Sequence, residues 1–274
     1  MTAPPDAAEQ ADILATAHAM ADAARAATLR YFRRSDLTAE TKGTDAFDPV
    51  TEADRAAEAA MRAILAERRP KDGIVGEEEA PVASHSGLTW IIDPIDGTRG
   101  FISGTPTWGV LVALADADGA PHYGLIDQPY IGERFEGGFG RAAVTGPLGR
   151  TPLAVRRGRP LEDATLFTTF PELGTDAERA AFEAVRDDVR LTRYGMDCYA
   201  YALLAAGQID LVIEAGLDAY DIAAPIAVVE AAGGIVTDWS GGPAHRGGRA
   251  LAAATPELHA AALGRLNWQA GRDG

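Results

Sequence analysis

Two aspartates three residues apart, Asp93 and Asp96, break into the apolar stretch "WIIDPIDGTRGF" at residues 90–101. A carboxylate that follows apolar strand residues is costly unless it is paired or coordinated. At the C-terminal end of a strand, where open α/β sheets collect ligands, the two are within reach of a shared cation. Pro94 stiffens the exit, and Gly97 permits a close backbone approach or an unusual dihedral. Amides at Gly97, Thr98 and beyond would form an anion cradle if a helix or turn starts here. Carboxylates beside an anion site repel phosphate unless divalent cations lie between them, so the stretch implies Mg²⁺ and phosphate together. The plain alternative is a surface turn, because Asp-Pro and Asp-Gly are common turn dipeptides.

Further acids stand at the ends of other expected elements, which favours chemistry over a turn. In "IVGEEEA", Glu77 follows the glycine that ends a strand and is the glutamate placed to point inward, although an acidic triplet can equally be a solvated run. Asp221 in "EAGLDAYDIAAP" lies near the start of an apolar helix, as an N-cap or as a metal ligand. Asp54 in "VTEAD" occupies the place of an ordinary first-turn helix acid.

The elements that must position these acids follow from periodicity. Residues from about Glu9 to Arg34 are alanine-rich, with Leu14, Ala17, Ala21 and Ala24 at helical spacing. "VTEADRAAEAAMRAILAERRP" reads as a second helix, with Thr51 three residues before Asp54 at its start and Pro70 at its end. Short apolar runs bounded by Gly, Pro or Asp then read as strands: "DGIVGEEEA", "LTWIID", "GVLVALAD", "PHYGLIDQPY" and the hairpin-like "GERFEGGFGRAAVTGP". The second half alternates strand "ATLFTTF", helices "TDAERAAFEAVRDD" and "CYAYALLAAG", strand "IDLVIEAG", helix "IAAPIAVVEAAGG" and strand "IVTD". This order predicts layered, mixed α and β structure around one continuous core. With 274 residues and 47% apolar composition, the chain can bury that core as one large domain or two packed lobes.

Composition narrows the chemistry. A formal charge of −15 argues against nucleic-acid and anionic-membrane binding. With no leader-like N-terminus and no apolar run of membrane-spanning length, the expected location is the cytoplasm. The single cysteine, Cys198, rules out an intrachain disulfide and a cysteine-based zinc site, and the five histidines lack ligand spacing. Any metal is therefore held by oxygen.

"DPVTEAD", "GEEE", "WIIDPIDGTRGF" and "EAGLDAYDIAAPIAVVEAAGG" occur in the order and approximate spacing of the inositol monophosphatase family, which the chain resembles from about Asp48 to Ala254. The resemblance implies a metal-dependent phosphomonoesterase with the layered αβαβα sandwich of the inositol monophosphatase and fructose-1,6-bisphosphatase type. It implies a single phosphatase domain over 1–274, with an N-terminal α+β lobe (about 1–150) and a C-terminal α/β lobe (about 151–274) sharing one active site. By motif, Glu77, Asp93, the carbonyl of Ile95, Asp96 and Asp221 look like ligands of two or three Mg²⁺ ions. Asp54 and Thr98 look like the pair that orients the attacking water, and the amides of Gly97 and Thr98 would hold the phosphate. A lysine that some members carry ahead of the first motif is matched only approximately by Lys42. A homodimer is implied as well.

Within the family, "YGMDCYAYALLAAGQIDLVIEAG" resembles the histidinol-phosphate phosphatases. Their substrate carries an ammonium and an imidazole opposite its phosphate, which Asp197, aided by Glu214, could pair. Asp197 could instead cap a helix, and Arg99 could touch the phosphate or brace the acids. Three competing readings are an inositol-1-phosphate or broad sugar-phosphate phosphatase, a haloacid-dehalogenase-type enzyme and a non-catalytic phosphate-sensing scaffold. The dehalogenase signature has one residue between its aspartates, where this chain has two, and the scaffold reading requires a missing site residue.

Overall fold

The computed structural model describes residues 5–35, 39–41 and 49–270. Lys42 and Asp48 lie outside the described residues. Seven helices form among them: α1 (Ala7–Thr28), α2 (Glu52–Arg68), α3 (Thr98–Ser103), α4 (Asp176–Arg186), α5 (Cys198–Ala205), α6 (Ala219–Ala231) and α7 (Pro256–Ala270). A short antiparallel pair joins β1 (Ala39–Thr41) to β2 (Pro49–Thr51). A seven-stranded sheet follows in sequential order: β3 (Gly73–Gly76), β4 (Thr89–Asp96), β5 (Gly109–Ala115), β6 (Pro121–Gln128), β7 (Glu133–Gly138), β8 (Arg141–Gly146) and β9 (Gly149–Pro152). Its β3–β4 pair is parallel and the rest antiparallel. The second sheet contains β10 (Thr165–Thr168), β11 (Leu191–Tyr194), β12 (Leu211–Leu217), β13 (Ile235–Thr237) and β14 (Gly248–Ala253), in the order β11-β10-β12-β14-β13.

The strand "GVLVALA" explains the layering. All seven of its residues are buried, so it has helices on both faces rather than one wet face. Val110, Val112 and Leu114 pack with Ile13, Met20, Met61 and Leu65 of α1 and α2. Leu111 and Ala113 face the opposite way, toward Ile222 and Val228 of α6. The same cluster includes Phe167 and Val212 of the second sheet, whose far face packs Leu166, Leu211 and Ile213 against Phe182 of α4 and Leu258 of α7. The result is the expected αβαβα sandwich. No helix among the described residues is long and apolar enough to cross a membrane.

Among the elements that depart from expectation are three helices. Helix α1 ends at Thr28, short of Arg34, where the Thr28 hydroxyl turns back onto the Ala24 carbonyl at 2.9 Å. Helix α6 starts three residues before Ile222, because Asp218 and Asp221 close a capping box around its first turn. Helix α7 was not anticipated, although Pro256 suits a first helical position and Leu258, Ala262 and Leu266 recur at helical spacing.

Helix α6 approaches the first sheet closely. A Cβ on Gly124 of β6 would lie 2.4 Å from the Ala224 carbonyl oxygen. Pro225, inside the same helix, has no N–H for the carbonyl of Asp221 one turn earlier. Close packing of α6 on the sheet thus accompanies the approach of Asp221 to the end of β4.

Candidate active site

Residues three apart on a regular strand point to opposite faces of the sheet. Asp93 and Asp96 avoid this because β4 bulges between them: Asp93 pairs with Leu111 and Asp96 with Gly109, so three steps on one strand match two on the other. The sequence reading ended the strand near Asp93. The strand instead continues through Asp96, and Pro94 sits in the bulge, where a missing N–H is tolerated. Oxygens of Asp93, Asp96 and Asp221 consequently all lie within 4.8 Å of one another.

Asp93 and Asp96 are crowded chiefly by other carboxylates. Asp93 is 1% exposed and accepts the Ile95 amide at 2.9 Å. Burial first, then the charges of Glu77, Asp96 and Asp221, push its carboxyl well above the ordinary range. Asp96 accepts the Cys198 amide at 2.6 Å, yet burial and the charges of Asp197 and Asp221 raise it too. Glu77 leaves β3 beside Asp93, within hydrogen-bonding reach. Four converging carboxylates in a desolvated corner suit a hard, oxygen-seeking divalent cation. The residues fit the metal the sequence implied.

Asp221 is not the N-cap. Asp218 caps α6, and Asp221 accepts its amide through Oδ2 at 2.7 Å while also joining the acidic cluster. Asp54 plays a similar double part. Its Oδ2 accepts the amide and hydroxyl of Thr51 at 2.8 and 2.6 Å, whereas its buried Oδ1 has no hydrogen-bond partner. Burial raises its pKa to about 6 despite those bonds. The Thr98 hydroxyl donates to the Ile95 carbonyl at 3.1 Å. The side chain of Ile95 is fully buried with Phe101 and Trp108, which anchors the turn.

A cavity of about 400 Å³ opens from this corner, lined by Glu77, Asp96, Gly97, Thr98, Arg99, Asp197, Glu214 and Asp221 among others. All the expected substrate contacts therefore meet in one place. Gly97 has φ 85°, and a Cβ there would lie 2.8 Å from Asp197 Cγ. Asp197 stands at the N-cap position of α5 but makes no capping bond, and its backbone has φ 47° and ψ −141°, a strained combination for a residue with a side chain. Burial raises its carboxyl to about 6, with Arg99 opposing. Glu214, 3% exposed, accepts Thr169 N at 2.8 Å and the Thr169 and Thr168 hydroxyls at 2.9 and 3.2 Å, and burial still raises it to about 8. Arg99 stacks on Phe170, 4.7 Å from its ring centre, at the cavity wall.

Sequence reasoning missed Thr168, Thr169, Phe170 and Tyr220. Thr168 ends β10, and Thr169 and Phe170 follow it, a polar end to an apolar strand, and that signal is the one that placed Asp93. Tyr220, beside Asp221, donates to Asp218 at 2.9 Å. Tyr201 is buried with no partner for its hydroxyl. Cys198 is packed in the core between the sheets.

Residues 9–271 match the sequence profile of the inositol monophosphatase family. The chain belongs to this family. It is accordingly a phosphatase of a metal-dependent family that acts on small phosphorylated substrates. It is 40% identical to the bifunctional phosphatase IMPL2 of Arabidopsis thaliana over 93% of this chain and 75% of that protein. The histidinol-phosphatase of Mycobacterium tuberculosis is 37% identical, over 93% of this chain and 98% of its own. Among solved structures, an inositol monophosphatase from Zymomonas mobilis superposes with a TM-score of 0.83 at 39% identity, covering 96% of this chain and 100% of that one. A haloacid-dehalogenase-type fold is excluded by this match.

Proposed function

We propose that the protein is a Mg²⁺-dependent histidinol-phosphate phosphatase serving histidine biosynthesis. One observation carries the choice of substrate: Asp197 and Glu214 line the same cavity as the acidic cluster, and burial raises both carboxyls even with Arg99 acting on Asp197. Two desolvated carboxylates suit an ammonium and an imidazolium better than a ring of hydroxyls. A phosphate bound near Gly97 would leave the cationic end of the ester beside them. Relatives at 37% and 38% identity named histidinol-phosphatases support the same choice.

In this reading Glu77, Asp93, the Ile95 carbonyl, Asp96 and Asp221 hold two or three Mg²⁺ ions. Bound there, the metal would supply Lewis acidity and a water of lowered pKa. The remaining work falls to the chain. The Thr98 hydroxyl spends its proton on the Ile95 carbonyl, so it offers the attacking water only lone pairs. The unpartnered Asp54 Oδ1, on a carboxyl raised to about 6, can accept the water's proton near neutral pH. The water oxygen bonds to phosphorus as the ester P–O bond breaks, and the histidinol alkoxide takes up a proton from solvent water while Asp54 returns the one it accepted to solvent. Amides of Gly97 and Thr98, at the open start of α3, face the phosphate oxygens, and Arg99 closes the wall.

We further read the chain as one domain whose lobes, about 1–150 and 151–274, share this cavity, acting in the cytoplasm as a homodimer. A second reading, an inositol-1-phosphate or broad sugar-phosphate phosphatase, is favoured by the similarity to the Zymomonas mobilis enzyme. Phosphate release from histidinol phosphate and inositol 1-phosphate, each with and without Mg²⁺, separates the two. Preference for histidinol phosphate, dependent on Mg²⁺, is expected; a larger kcat/KM on inositol 1-phosphate would select the second reading.

A further inference from the structure

Glu58 lies one helical turn after Asp54 on α2, with its side chain fully buried. It accepts the backbone amides of Glu78 and Glu79 at 2.8 and 3.1 Å, and Arg62 Nε at 2.8 Å. Those amides belong to the two residues that directly follow Glu77. On the other side, a Cβ added to Gly76 would lie 2.3 Å from Glu58 Oε1. One carboxylate therefore contacts the chain both before and after Glu77. Arg62 extends the grip, donating to the Glu79 carbonyl at 2.9 Å and lying 3.6 Å from the Glu79 carboxylate.

The acidic triplet is thus divided among different tasks. Glu77 turns into the site, Glu79 faces Arg62, and two amides of the turn are spent on Glu58. A buried charge in an already acidic region is poor value for stability alone, since an apolar replacement of a buried ion pair is often neutral or better. Its contacts converge instead on the placement of Glu77. We propose that Glu58 is a positioning residue that aims the Glu77 carboxylate at the cation, by fixing the turn from Gly76 to Glu79. This rests on the reading of Glu77 as a metal ligand.

Glu58→Gln keeps the shape but turns an N–H₂ toward one of three donors, so the turn must shift. Outer-sphere partners of ligating groups typically control metal affinity by about 10–100-fold. Mn²⁺ titration of the substrate-free protein, with free Mn²⁺ read by electron paramagnetic resonance, should show a loss of about that size. The apparent KM for Mg²⁺ should rise in parallel, with kcat at saturating Mg²⁺ far less affected. Gly76→Ala, which crowds Glu58 from the other side, should weaken Mn²⁺ binding as well and provides the test if Glu58→Gln does not fold. Glu183→Gln, at a half-exposed acid of α4, should leave Mn²⁺ affinity unchanged. A merely structural role would lower the melting temperature and leave the affinity of folded molecules intact. Folded Glu58→Gln or Gly76→Ala that binds Mn²⁺ as tightly as the wild type would overturn the inference alone. Wild-type protein that takes up no Mn²⁺ would overturn the metal reading of the site and this inference with it.

Discussion

The seven-stranded sheet buries two groups of acids, and it treats them in opposite ways. At β6 and β7, Asp127 is fully buried and receives Arg25 at 3.0 and 2.7 Å and Arg134 at 2.7 Å. Glu136 beside it receives Arg150 at 2.9 Å and lies 3.3 Å from His18, and these partners hold its carboxyl down at about 2. At the end of β4, Asp93 and Asp96 meet mainly other carboxylates, which push them up. The paired group fastens α1 to the sheet. The crowded group opposes folding by itself and would become favourable with a cation among its oxygens. Burial of charge thus marks structure in one place and chemistry in the other, and the partners tell them apart.

The contrast can be broken from either side. Asp93→Asn should have the largest effect, a loss of at least about 10³-fold in kcat/KM in a Mg²⁺-dependent phosphate-release assay, because it removes a ligand from the centre of the cluster. Arg134→Ala should leave activity per folded molecule unchanged but cost roughly 1.5–3 kcal/mol in urea denaturation, since it removes one of the two arginines that bond to buried Asp127. Asp197→Gly should do the reverse. Releasing a backbone strained by about 1–3 kcal/mol should raise the melting temperature, while the preference for histidinol phosphate over inositol 1-phosphate falls. A lower melting temperature with preference retained would make Asp197 structural.

The smallest effect is on pH dependence, and the two groups carry opposite signs. Glu136, held near 2 against an ordinary 4.5, contributes stability that is complete above 4.5 and lost as pH falls toward 2. Glu214, raised to about 8, and Asp54 and Asp197, raised to about 6, hold their protons in the folded state, so stability falls as pH rises through those values. Metal-free protein should therefore be most stable at about pH 5 and weaken toward pH 8 in thermal melts. A flat profile between those limits would mean that these acids are paired in solution.

How legible each group was in the sequence follows from the range of its contacts. Asp93, Asp96 and Glu77 stood out because charge at the end of an apolar strand breaks a local pattern, and Asp221 repeated it at a helix start. The bulge that turns Asp93 and Asp96 to one side was hidden, since it depends on how β4 meets β5. The arginine-paired group was invisible for the same reason: Arg25 and Asp127 are 102 residues apart. Glu58 looked like any acid on a helix surface, because nothing local shows that the turn after β3 closes over it. Asp197 was legible as a residue but not in its backbone strain, which only the meeting of α5 with Gly97 reveals.

The most direct test compares melting temperatures of wild type and Asp93→Asn across a Mg²⁺ titration at neutral pH. The account predicts that Mg²⁺ stabilises the wild type progressively as sites fill, that Asp93→Asn melts higher than the wild type without metal, and that Mg²⁺ adds little to it. A wild type indifferent to Mg²⁺, with Asp93→Asn melting lower, would contradict the claim that these acids are gathered for a cation.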